Sequence, residues 1–176
     1  MTMRNLRRRA RGRGGFSLIE IVVVIAIVGL LVGVAVPLFS RSKQKAELRA
    51  TANRLAGDFK TARVLAASGK ADVPAWGAGV RAQMAGIRFI SATQYAIFVD
   101  QDSQSNGGGT EADVEIVDIA ANNEPFQFVA PPVQVRFKKS GTLVAPPDID
   151  IFIRDTTTGD QRVVRVTYGG KASVFL

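Results

Sequence analysis

Residues 16–36, "FSLIEIVVVIAIVGLLVGVAV", form an unbroken apolar run whose only charge is Glu20. As a helix the run spans roughly 31 Å at about 1.5 Å per residue, long enough to cross a bilayer. An ionised carboxylate in hydrocarbon is costly, so Glu20 is either a defect in this segment or its working part. A carboxylate snorkelling to the membrane surface is the plainer reading, but Glu20 lies more than a helical turn into the run.

The flanks give the run a direction. Residues 1–15, "MTMRNLRRRARGRGG", hold six arginines and no acid. Cationic flanks stay on the cytoplasmic side, so residues 1–15 are expected in the cytoplasm and everything after Pro37 outside, which makes the chain exported or membrane-anchored. Six of the chain's 23 Lys and Arg lie in that leader, which leaves 17 against 15 acids in the remainder. A body so close to neutrality argues against a phosphate-tracking surface, and nucleic acid is not an expected partner. Cysteine and histidine are absent. That excludes disulfides, thiolate and imidazole metal ligands, and Ser-His or Cys-His nucleophiles. No spacing singles out carboxylate or Ser-Lys chemistry either, and the chain does not read as an enzyme.

Three readings of the apolar run compete. A secretory signal has a shorter core and a small-residue exit, which "VAVPLFS" is not. A plain signal anchor fits the length and leaves Glu20 and the Gly14-Gly15 pair without a reason. The third reading accounts for both. "GGFSLIE", after a basic leader and before a long apolar helix closed by Pro37, closely resembles the type IV prepilin signature. The resemblance implies that a membrane peptidase cuts between Gly15 and Phe16 and that the new N-terminus at Phe16 is methylated. It also implies that Glu20 pairs with the Phe16 ammonium of a neighbouring subunit and so registers assembly. Such a pairing rewards association because an unpaired charge in lipid is the costly alternative.

Gly29 and Gly33 follow as G-x-x-x-G, a spacing that lets helix backbones approach closely in lipid. Pro37 has no N–H for the carbonyl of Gly33, so the helix is expected to kink or loosen there. Beyond it, residues 38–69 continue as an amphipathic helix, with Leu48, Ala52, Leu55, Phe59, Ala62 and Ala66 on one face and Arg49, Asn53, Lys60 and Arg63 elsewhere. Residues 70–86, rich in glycine and containing Pro74 and Trp76, read as a loop. The period then changes to strand. Alternation marks Ile87–Ile90, Tyr95–Val99, Val114–Ile119, Val133–Lys138, Ile149–Ile153 and Val164–Tyr168. The last of these joins "KASVFL" through a two-residue Gly169-Gly170 hairpin. About seven antiparallel strands are expected.

The expected fold class is therefore α+β. A long N-terminal helix, with a transmembrane half over residues 16–37 and an amphipathic half over 38–69, packs on an antiparallel β-rich head over 70–176. This order, with "YAIFVDQD" and the closing "RVVRVTYGGKASVFL", is similar to the H-type minor pseudopilins of type II secretion and related minor pilins. The function this implies is structural: a subunit of a secretion pseudopilus or a type IV pilus, with other pilins, the prepilin peptidase and an inner-membrane assembly platform as partners. The alternative is a DNA-binding minor pilin of a competence pilus, although Arg162, Arg165 and Lys171 fall short of the arginine cluster that role uses in relatives.

One loop carries possible site chemistry. "DQDSQSNGGGTE" sets Asp100, Asp102, Gln104 and Glu111 at the first, third, fifth and twelfth places, the spacing of an oxygen-ligand calcium loop. Ser105 stands where that loop wants its turn glycine, and no helix follows. A polar, glycine-rich hairpin would look the same without metal.

Overall fold

The computed structural model describes residues 16–69, 81–101, 111–121, 124–145 and 147–175. The chain divides into two compact units, Met1–Ser42 and Lys43–Leu176. Helix α1 (Leu18–Ser68) begins in the first and ends in the second. Its helical assignment runs through Pro37 without interruption. The missing N–H therefore removes one bond at Gly33 but does not end the helix, which continues to Ser68 as expected of residues 38–69.

In the second unit, α1 meets eight strands: β1 (Met84–Phe89), β2 (Gln94–Asp100), β3 (Glu111–Asp118), β4 (Phe126–Val129), β5 (Gln134–Lys138), β6 (Ile149–Asp155), β7 (Gln161–Val166) and β8 (Ala172–Phe175). They form two four-stranded sheets, ordered β3-β2-β1-β5 and β4-β6-β7-β8. Every described pairing is antiparallel. Ala85, Ile87 and Phe89 of β1 stand opposite Val99, Ile97 and Tyr95 of β2, so one face of the first sheet is a continuous apolar surface. Ile151, Ile153, Val164 and Val166 supply the matching face of the second.

All six residues expected on the apolar face of the second half of α1 are buried, and they join both sheet faces in one core. The four expected elsewhere are exposed. Spacing at steps of three and four is decisive here because a helix buries one stripe only.

The described residues hold eight strands where about seven were expected. β4, "FQFV", is only four residues long between Pro125 and Pro131, yet it buries Phe126 and Phe128 and pairs with β6. β1 also starts at Met84, inside the segment expected to be loop. Val133 is exposed rather than inward-facing and precedes β5. Nor is the last hairpin a two-residue turn. Val166 pairs with Ala172, the Thr167 N–H donates to the Lys171 carbonyl at 2.9 Å, and the Gly170 N–H donates back to Thr167 at 2.7 Å. The loop is Tyr168-Gly169-Gly170, with Gly170 left-handed at φ 78°. This three-residue form needs glycine at its last place. A Cβ at Gly170 would also run into the carbonyl of Gly141.

Candidate functional site

The processing and assembly segment begins at Phe16, the first described residue; Gly15 lies outside the described residues. The Ser17 carbonyl accepts from the N–H groups of Glu20 (3.0 Å) and Ile21 (3.3 Å), which makes Ser17 the N-cap of α1 and Glu20 its third helical residue. Ser-x-x-Glu at these positions is the capping-box pattern, and a carboxylate in the first turn also meets the positive end of the helix dipole. The pattern is legible in "SLIE" itself.

From Phe16 to Phe39, all the large apolar side chains described are exposed. Among the described residues α1 is the one helix long and apolar enough to cross a membrane, and none of its apolar window is buried. A Cβ added at Gly29 or Gly33 would meet no atom within 4 Å. Each glycine costs a helix interior about 1 kcal/mol relative to alanine. No contact among the described residues requires either one, which leaves close approach by another helix as a reason for them.

In the head, the outer face of the first sheet carries an ion network. Asp100 ends β2, Glu111 opens β3, and the two are paired across the ladder. Arg136 of β5 donates from Nη1 to Asp100 Oδ2 at 2.9 Å and from Nη2 to Glu111 Oε1. Arg88 of β1 bridges Glu111 Oε2 (2.8 Å) and Asp113 Oδ1 (2.5 Å). Both guanidinium groups lie over the Phe98 ring, at 5.7 Å for Arg88 and 5.3 Å for Arg136. Alternation puts Phe98 on the outward face, yet it is fully buried because the arginine side chains cover it. The structure thus brings together Asp100 and Glu111 of the calcium-loop spacing, with arginine between them. Asp102 and Gln104 lie outside the described residues. Among the described residues no three His, Cys, Asp or Glu side chains come together in a metal-binding group.

Of the basic residues near the end of the chain, Arg165 is held by Asp150 through two bonds, at 2.7 and 2.8 Å. Those bonds keep the Asp150 carboxyl below the usual carboxylate range. Arg162 donates to the Gln161 carbonyl at 2.9 Å.

On the helix side of the head, the Tyr95 hydroxyl donates to Asp58 Oδ2. Burial pushes the Asp58 carboxyl above its ordinary value, although the Tyr95 bond and nearby Arg54 pull it down. Burial and the Asp58 carboxylate push the Tyr95 hydroxyl far up. A raised carboxyl binds its proton more tightly in the folded state, so its stabilising contribution is complete below the unfolded pKa and is lost as pH rises through the folded one. The Tyr95 bond opposes that loss by favouring the ionised form. Tyr95→Phe is therefore expected to cost about 1–2 kcal/mol near neutral pH. The cost should shrink as pH falls through the Asp58 titration, and urea unfolding at several pH values measures it. A cost independent of pH would mean that the bond does not depend on the Asp58 charge.

Similarity to known proteins follows the same two parts. A family model described as the prokaryotic N-terminal methylation motif matches residues 10–36. No curated protein matches the chain. Two crystal structures of the type IV minor pilin FimU from Pseudomonas aeruginosa (strain PAO1) share its fold at 18% identity. The form in space group P21 gives a TM-score of 0.54 over 75% of this chain and 90% of that one. The form in space group P65 gives 0.51 over 73% and 93%. The chain thus carries a prokaryotic N-terminal methylation motif and shares its fold with a type IV minor pilin.

Proposed function

We propose that this chain is a minor filament subunit, made as a membrane-anchored precursor, cut between Gly15 and Phe16, methylated at Phe16, and assembled through the helix that follows. The observation that carries the reading is the methylation motif over residues 10–36 running into a helix whose apolar first half is exposed. A helix that is apolar all round is stable only in lipid or among other helices. The leader arginines orient it, with residues 1–15 cytoplasmic and the head outside. The partners this implies are the prepilin peptidase, other pilins or pseudopilins, and an assembly platform in the inner membrane.

The filament is a type IV pilus or a type II secretion pseudopilus. The fold shared with a minor pilin and the lack of cysteine, where major pilins often carry a disulfide loop, favour the minor class. The competence alternative draws less support, because Arg165 is already neutralised by Asp150.

Intact and peptide mass spectrometry of the protein from membranes of its own host tests the reading. A mature chain beginning at N-methylated Phe16 is the expected result. A chain that keeps Met1 to Gly15 while the peptidase is present would leave a plain signal-anchored β domain and remove the filament subunit from consideration.

A further inference from the structure

We propose that Arg136 is the resident cation at the foot of the β2–β3 connection, doing there what a calcium ion would otherwise do, so that the head holds its fold without calcium.

Asp100 and Glu111 are direct cross-strand neighbours. Like charges at such a place repel, and these two are well withdrawn from solvent, with side-chain exposures of 1% and 11%. Buried carboxylates need a counter-charge. Two chemistries can supply one: a hard divalent ion with six to eight oxygen ligands, or a planar guanidinium that reaches two carboxylates at once.

The strand order decides between them. Arg136 stands on β5, two strands from Asp100, and the strand between them, β1, carries Gly86 opposite both Arg136 and Phe98. With no side chain at Gly86, the arm of Arg136 can cross β1 over the Phe98 ring and reach both acids. A Cβ at Gly86 would collide with the Val135 carbonyl and the Arg136 backbone. The ring beneath is an apolar, π-bearing floor, which suits a weakly hydrated guanidinium better than an ion that holds its water. Arg88 then takes the second oxygen of Glu111 and ties in Asp113. A calcium ion entering here would have to displace a buried arginine from the carboxylates it needs.

The test uses the full chain in detergent micelles, melted in EDTA and in millimolar calcium chloride. Wild type should melt at the same temperature in both. Arg136→Met removes the cation that the two carboxylates share and should lower the midpoint in EDTA by about 10 °C. Calcium chloride should restore part of that loss, since a divalent ion can then stand between the cross-strand Asp100 and Glu111 carboxylates in place of the guanidinium. Arg88→Met leaves Arg136 in place and should stay indifferent to calcium. Should Arg136→Met not fold in EDTA, its folding on addition of calcium is the supporting result and continued failure the opposing one. A calcium-dependent rise in the wild-type midpoint would overturn the proposal, as would an Arg136→Met chain whose melting calcium does not move.

Discussion

Replacing Phe59 by alanine is expected to destabilise the head by about 3–5 kcal/mol, the usual cost of truncating a buried aromatic side chain. Phe59 is fully buried midway along the core-facing stripe of α1, and its ring meets Phe137 of β5 edge to face at 6.3 Å. Truncation removes the transfer free energy of the ring and leaves a void between helix and sheet that close-packed neighbours can only partly fill. Against a typical total of about 5–15 kcal/mol, this is a large share of the stability, and the melting midpoint should fall by about 10–20 °C. Phe59→Leu, which keeps most of the volume, should cost less than about 1.5 kcal/mol. Val64→Ala is the control: Val64 is exposed on the same helix, and its truncation should change stability by no more than about 0.5 kcal/mol. Urea unfolding of the three variants checks the order. Equal effects at Phe59 and Val64 would mean that the helix face does not pack on the first sheet.

The contrast between Phe59 and Val64 was already legible in the sequence, because a helix that buries one stripe writes it at a fixed period. The strands were legible for the same reason wherever five or more residues alternate: β2 and β6 fall within a residue or two of the expected bounds. β4 escaped because four residues between prolines hold too few periods to stand out from a loop. The C-terminal hairpin was misread because Gly169-Gly170 suits a two-residue turn, while only the pairing of Val166 with Ala172 shows which glycine is left-handed. The methylation motif was legible because it is local, its basic leader, glycine pair and apolar run being contiguous. The ion network could not be read, because it joins residues 36 positions apart in sequence. The acids at 100 and 111 suggest a cation, and nothing in one dimension shows that β5 delivers an arginine to them. Phe98, an aromatic residue at an outward-facing place in the alternation, was the signal that something covers that face.

Glu20 is where local and intermolecular explanations make opposite predictions. As the third residue of α1 behind a Ser17 cap, it can serve its own helix through a capping box, a role glutamine fills as well. Its charge also meets the helix dipole, a term of about 0.3–1 kcal/mol, or at most about fivefold in an equilibrium. As a registration device it must carry a full negative charge to meet the Phe16 ammonium of a neighbour, and glutamine fails. Glu20→Gln and Glu20→Ala expressed in the host are therefore both expected to be cleaved and methylated at Phe16, and both to enter sheared filaments at least about tenfold less than wild type. Peptide mass spectrometry of the membrane and filament fractions reads both steps at once. If Glu20→Gln incorporated like wild type while Glu20→Ala did not, the carboxylate would be serving its own helix end. If both incorporated normally, the charge would have no part in assembly. Loss in both, with processing intact, ties the one charge in the apolar run to a partner outside the chain.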